Sequence, residues 1–268
     1  MNVKKFFCFL ILVFFINESV LIAQSNLIPK EVEYYSNGLK MKGYLVYDAS
    51  IEGKRPGILV VHEWWGHNQY ARKRANMLAE LGYTAFALDL YGEGKLATNP
   101  TEAGSFASEV MANIETAKER FQAAYDILNK DETVIENQIG AIGYCFGGGV
   151  VLNMARLGVD LKGVVSFHGS LTTDNPAEIN TVKCKILVCN GEDDSFITKD
   201  DIINFNEEMK NAGVDYNFIN YPNSLHAFTN PEADDNAQKF GLKIAYNKEA
   251  DEKSWIDMQD FFKRVFNK

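Results

Sequence analysis

Ten residues constrain this chain more than any others: Gly140-Ala141-Ile142-Gly143-Tyr144-Cys145-Phe146-Gly147-Gly148-Gly149. The apolar run from Ile139 to Ile142 reads as a buried strand. It ends in Gly-x-Cys-x-Gly, and Val150, Val151, Leu152, Met154 and Ala155 then continue as an apolar helix. A strand turning sharply into a helix lifts the central side chain on strained backbone. Side chains two residues to either side of it would clash, so glycine belongs there. The new helix aims its free N–H groups and the positive end of its dipole at Cys145. That field favours thiolate over thiol and can hold a developing oxyanion. Taken alone, the motif also fits a buried structural cysteine beside a glycine-rich turn.

The rest of the chain alternates in a way that suits such a turn. Val32 to Ser36 and Met41 to Tyr47 read as two strands around Asn37-Gly38, a hairpin signal. Gly57 to Val61, Thr84 to Leu90, Gly163 to Phe167, Lys185 to Val188 and Tyr216 to Tyr221 are further strands. Helical spacing appears in Ala71, Ala75, Leu78 and Ala79, with Arg72, Lys73 and Arg74 expected outward, and Gly82 stops that helix. After a loop from Gly92 to Thr101, one long helix is expected from Phe106 through Val110, Ile114, Ala117, Phe121 and Ala124 to Leu128. Ile202, Phe205, Asn206 and Met209 mark a later helix, and Trp255, Met258, Phe262 and Val265 a closing one. Continuous apolar strands alternating with helices imply a mostly parallel sheet covered on both faces, preceded by an antiparallel hairpin. No repeat, low-complexity tract or linker follows residue 30, so residues 24–268 read as one domain.

Residues 1–23 have a different character. Lys4 and Lys5 precede an apolar run of 11 residues, Phe6 to Ile16, and small Ala23 offers a cleavage point before Gln24. This is the pattern of a cleavable secretory signal, too short to span a bilayer. It implies a secreted or periplasmic protein; an uncleaved anchor is the alternative. Cys8 lies inside the apolar run, which argues against a lipid-anchored mature N-terminus. Removing the segment, with Lys4, Lys5 and Glu18, takes the formal net charge from −9 to −10. An acidic chain without a basic run argues against nucleic acid or an anionic membrane as partner. Beyond Cys8 the cysteines are Cys145, Cys184 and Cys189, an odd number. Cys184 and Cys189, five residues apart along an extended segment, are roughly 16 Å apart and face opposite sides. They cannot bridge each other and read as small buried hydrophobes. No spacing suggests a metal site, and nothing calls for a cofactor.

In a sheet of this kind reactive residues gather at the carboxyl ends of strands. Cys145 stands at one such end, Glu63 after Val60-Val61-His62 at another, and Asp193 and Asp194 after Gly191 at a third. His226 follows the last strand and the turn Pro222-Asn223-Ser224. The order nucleophile, acid, histidine, with separations of 49 and 32 residues, is that of α/β-hydrolase triads. Cys145 is then the nucleophile and His226 the proton shuttle. An aspartate, 193 or 194, holds the imidazole in one tautomer. The N–H groups of Phe146 and Trp64 are placed to form the oxyanion hole. Trp64 and Trp65 wall the pocket, His168 at a strand end lines it, and His62 and His67 shape the oxyanion loop.

Five motifs occur together: His62-Glu63-Trp64-Trp65-Gly66, Asp89-Leu90-Tyr91-Gly92, Gly143-Tyr144-Cys145-Phe146-Gly147-Gly148, Gly191-Glu192-Asp193-Asp194-Ser195-Phe196 and His226-Ala227-Phe228. In this order they resemble the dienelactone hydrolase family over most of residues 38–267. The resemblance implies an α/β-hydrolase fold, an ester or lactone substrate, and an acid two residues before a phenylalanine, which selects Asp194. It gives Glu63 a part in generating the thiolate when substrate binds. It adds Tyr91, Phe228 and Asn230 to the pocket.

The chain also departs from the family pattern. Well-known members hold the substrate carboxylate with two arginines and a serine. Here Asn230 stands four residues after His226 and Ala227 directly after it, and no arginine occurs between Arg74 and Arg120. Bidentate carboxylate recognition is thereby lost, while Lys95 offers only a point charge on a loop. Two rival readings remain from sequence. One is a non-catalytic binding protein on the same fold. The other is a thiol amidase or peptidase, since ester and amide cleavage share nucleophile and oxyanion hole.

Overall fold

The computed structural model describes residues 26–267. The signal segment expected over residues 1–23 lies outside the described residues. An N-terminal hairpin, β1 (Leu27–Ser36) and β2 (Leu39–Asp48), turns at Asn37-Gly38, where both residues take the positive φ that such a turn requires. There follow β3 (Arg55–Val61), α1 (Gln69–Glu80), β4 (Thr84–Leu88), α2 (Pro100–Met111), α3 (Ile114–Asn129), β5 (Val134–Tyr144) and α4 (Phe146–Arg156). The chain closes with β6 (Gly163–Phe167), β7 (Lys185–Gly191), α5 (Lys199–Asn211), β8 (Tyr216–Tyr221), α6 (Ala233–Phe240) and α7 (Lys248–Phe266). Among the described residues no helix is long and apolar enough to cross a membrane.

The eight strands form one sheet in the order β1-β2-β4-β3-β5-β6-β7-β8. The pairs β1–β2 and β2–β4 are antiparallel, and the other neighbours run parallel. This is the α/β-hydrolase architecture, read correctly from the alternation of apolar strands and helices. Successive residues of each strand face opposite layers. On one face Ile58 and Val60 of β3 and Ile142 of β5 pack with Ala75 and Leu78 of α1 and Met258 and Phe262 of α7. On the other, Leu59, Val61 and Ala141 pack with Phe121 of α3, Val151 of α4 and Phe205 of α5. Cys184 and Cys189 fall in these two separate layers, both buried and both unbridged. Burial pushes each thiol up to about 12, so neither competes as a nucleophile near neutral pH.

Chain direction around the sheet reverses at β3. The chain leaves β3 for β4 on one side and returns to β5 on the other. That switch point is where parallel sheets open a crevice at their carboxyl edge. Val61 pairs with Gly143, so Glu63 and Cys145 each stand two residues beyond one register position.

Two local expectations are corrected. The long helix is two: Ala112 ends α2, and extended Asn113 starts α3 by accepting the N–H groups of Glu115 and Thr116 at 3.1 and 3.4 Å. A side chain that caps so well outweighs an unbroken apolar stripe. Arg74 does not point outward. It is buried against Asp251 of α7 and the rings of Tyr70, Tyr144 and Trp255. The sequence reading did not anticipate α6, a helix of only 8 residues ended by left-handed Gly241.

Candidate active site

Cys145 sits between β5 and α4 with φ 52° and ψ −115°, a conformation seldom open to a side-chain-bearing residue. Two glycines make it possible. A Cβ on Gly143 would lie 2.0 Å from the Gly147 carbonyl oxygen, and one on Gly147 would lie 2.4 Å from that of Val61. The strained residue is held on both sides. Its N–H donates to the Phe167 carbonyl at 3.0 Å and to His168 Nδ1 at 3.1 Å, and its carbonyl accepts from Gly149. Phe146 opens α4, so its N–H belongs to the first turn, which has no intrahelical acceptor.

The acid and the histidine arrive from the far half of the sheet. Asp194 lies in the turn after β7, where its Oδ1 accepts the Phe196 N–H at 2.8 Å. Its Oδ2 is 2.8 Å from His226 Nδ1, and its side chain is shut off from solvent. Neighbouring Asp193 is exposed, so the pair separates into one buried partner of the imidazole and one solvated carboxylate. The loop bearing His226 is pinned by Ala245 N–H to the His226 carbonyl and Asn247 N–H to that of Phe228. Burial pulls the His226 imidazole down. The Cys145 charge and hydrogen bonds to Asp194 and Cys145 outweigh it and push the group up to about 10.

Glu63 is the second carboxyl of the site. Burial pushes it up to about 7 against the hydrogen bond from Asn230 Nδ2, 2.7 Å from its Oε2. A group near 7 exchanges protons at neutral pH. The oxyanion loop is fixed around it. His62 donates from Nδ1 to the Glu63 carbonyl at 2.6 Å and accepts the Leu90 N–H on Nε2 at 3.3 Å. Tyr91 donates to the Trp64 carbonyl at 2.9 Å. Buried His67 is pushed down to about 3 by desolvation, so it stays uncharged.

Cys145, His226 and Glu63 border one cavity of about 260 Å³. Trp64, Trp65, Phe146, Phe196 and Ile197 form much of its wall, and Ala233, Asn236 and Ile244 close the far side. None of its described lining residues is a lysine or arginine. Asn230 and Trp65 line it as expected from sequence. Tyr91, His168 and Phe228 do not, and the expectation that they form the pocket is corrected. Tyr91 holds the Trp64 loop from behind, and Phe228 is buried in the core beside Tyr221. His168 faces away from the cavity because its ring is consumed by the Cys145 N–H on one nitrogen. The other nitrogen is 2.7 Å from Thr229 Oγ1. Burial and the charges of His226 and Arg74 keep it well below the usual histidine range, hence neutral. With Nδ1 accepting, Nε2 carries the proton and donates to Thr229.

Sequence reasoning missed this buried chain. Thr229 Oγ1 is also 2.7 Å from Tyr70 Oη, and Tyr70 Oη accepts from Arg74 Nε at 3.2 Å. The chain thus ties the elbow, the His226 loop, α1 and α7 together. Sequence reasoning also missed the wall from Ala233 to Ile244, whose Phe240 stacks on Trp65 at 5.7 Å between ring centroids.

Comparison with known proteins agrees with this architecture. The model of the dienelactone hydrolase family matches residues 41–266. Protein usf of Aquifex pyrophilus is 31% identical over 209 residues, covering 76% of this chain and 88% of that protein. A protein of Aquifex aeolicus (strain VF5), assigned provisionally as a carboxymethylenebutenolidase, is 29% identical over 211 residues with the same coverage. A dienelactone hydrolase-like promiscuous phosphotriesterase from metagenomic libraries superposes with a TM-score of 0.84 at 29% identity. That match covers 90% of this chain and 99% of the other. With its motifs in family order and nearly its whole described length matched, the chain belongs to the dienelactone hydrolase family, and it is a hydrolase acting on ester or lactone bonds of a small-molecule substrate.

Proposed function

We propose that this hydrolase is exported and cleaves a neutral ester or lactone through a Cys145 acyl-thioester, with His226 and Asp194 as its proton-handling pair. The observation that carries the reading is the buried Asp194–His226 hydrogen bond at the edge of a cavity that Cys145 also borders. The Cys145 sulfur attacks the carbonyl carbon, and the oxyanion takes hydrogen bonds from the N–H groups of Phe146 and Trp64. The carbon–oxygen bond to the leaving group breaks as His226 passes its proton to that oxygen. In a lactone the leaving oxygen stays on the opened chain. His226 then takes a proton from water, the hydroxide attacks the thioester, and the thiolate returns. Asp194 holds the imidazole in place throughout. Glu63, poised near neutrality, takes up or gives the thiol proton as substrate arrives.

Neutral substrates are favoured because apolar and aromatic groups dominate the cavity wall and no lysine or arginine borders it to pair with a substrate carboxylate. Asn230 is turned onto Glu63 and does not replace a guanidinium fork. Export rests on Lys4, Lys5, the apolar run after them and Ala23. The test is a panel of esters and lactones matched with and without a carboxylate. The neutral member of each pair is expected to show at least about tenfold higher kcat/KM, the value of one lost charge-assisted contact. A preference for the anionic members would overturn the substrate reading. Failure to cleave any member would overturn the catalytic one.

A further inference from the structure

A second cavity, of about 350 Å³, adjoins the first across Phe146 and Ser170, which border both. It lies where the expected long helix breaks: Met111 ends α2, Ile114 begins α3, and both overhang it. The rest of its wall is polar, with Asn153, Thr172, Thr173, Asp174 and Asn175. Asn153 is the informative member. It sits on α4, two turns beyond Cys145, and is only 4% exposed. Its Oδ1 accepts from Thr173 Oγ1 at 2.8 Å and Arg156 Nη1 at 3.3 Å, which fixes the amide with Nδ2 as the free end. Among the described residues Nδ2 has no protein acceptor, and it is not sealed from solvent, so it is free to donate into the cavity. Arg156 itself is spent on both Glu208 oxygens and the Leu171 carbonyl. The cavity therefore presents a pre-oriented donor, hydroxyl groups, the Asp174 carboxylate as acceptor and a small apolar overhang. No lysine or arginine is among its lining residues, so it lacks the charge to hold a phosphate or carboxylate.

Building on the acyl-transfer reading above, we infer that this cavity is a subsite for a neutral polyhydroxylated group, a sugar or polyol. The substrate is then an ester whose apolar acyl part fills the first cavity and whose hydroxylated alcohol part crosses Ser170 into the second. Sugar rings and polyols offer both donors and acceptors, together with C–H edges for Met111 and Ile114. A site built to pair such hydroxyls discriminates strongly against a ligand that lacks them.

The test compares kcat/KM for glucosyl, glyceryl, 2-aminoethyl and ethyl esters of one acid, with the parent and with Asn153→Asp. That substitution keeps Oδ1 with Thr173 and Arg156, turns the donor into an acceptor and adds one negative charge beside Arg156. The parent is expected to favour the glucosyl or glyceryl ester over the ethyl ester at least tenfold. Asn153→Asp is expected to lose most of that ratio. Asp174→Ala, at an exposed position that does not threaten folding, is expected to lower the same ratio several-fold. Cleavage of the ethyl ester with no hydroxyl preference would overturn the subsite while leaving the hydrolase reading standing. So would a preference untouched by both substitutions, or a stronger preference for the 2-aminoethyl ester. Cleavage of none of the esters would overturn both.

Discussion

Replacing either Cys145 or His226 with alanine is expected to lower kcat/KM for a small activated ester by about 10⁴- to 10⁶-fold, the loss seen when one member of a nucleophilic unit is removed. The reason lies in geometry. In the proposed mechanism the thiol on the strained elbow borders the cavity, and buried Asp194 holds the imidazole that would take its proton. Without His226 nothing else bordering the cavity is placed to take a proton from the thiol or from the water that attacks the thioester except Glu63, which is engaged by Asn230. Without Cys145 the other described cysteines, Cys184 and Cys189, are buried in the two core layers with their thiols pushed up to about 12. On the proposed reading the two residues act as one unit, so the double variant is expected to be no slower than the worse single one. Release of p-nitrophenolate is a sufficient readout. Parent-like rates in either single variant would remove the triad.

The second large effect is on stability. Arg74→Met is expected to destabilise the fold by about 3–5 kcal/mol, the cost of leaving one member of a buried ion pair alone. Arg74 is 3% exposed and meets Asp251, whose carboxylate would lose its cation. It also donates to the Thr229 carbonyl and to Tyr70, and its guanidinium lies 5.2 to 5.3 Å from the ring centres of Tyr70, Tyr144 and Trp255. Arg72→Met, two residues away, is the control. Its partner Glu31 is exposed, and such a pair is worth no more than about 1 kcal/mol. Urea unfolding of the two variants separates them. Equal midpoints would show that the Arg74 network does not hold the fold.

The same residue shows where reading the chain as a sequence reaches its limit. Arg72, Lys73 and Arg74 stand together, and nothing local distinguishes the one that turns inward. That is decided by Asp251, 177 residues later, and by a tyrosine on β5. The strands and the elbow were legible because their signal is local: continuous apolar runs, and glycines that the Cys145 conformation demands. The pairing of Asp194 rather than Asp193 with His226 needed the family resemblance, since both aspartates follow the same strand. The placement of Tyr91, His168 and Phe228 failed for a different reason. A residue at a strand end can face the cavity or prop the turn behind it, and side-chain direction is set by partners such as the Cys145 N–H and Thr229. The helix break at Asn113 was written in the sequence as a capping residue, but the apolar stripe runs through it in near-perfect register and hid it.

The proposed mechanism requires a covalent bond to form at one sulfur. Mixing the parent protein with a slowly deacylating activated ester, quenching in acid within the first turnover and mapping peptide masses reads that bond directly. The acyl mass is expected on the peptide carrying Cys145, at close to one equivalent, and is expected to vanish in Cys145→Ala. An acyl group on another residue, or full turnover with no adduct at Cys145 under any quench time, would contradict it.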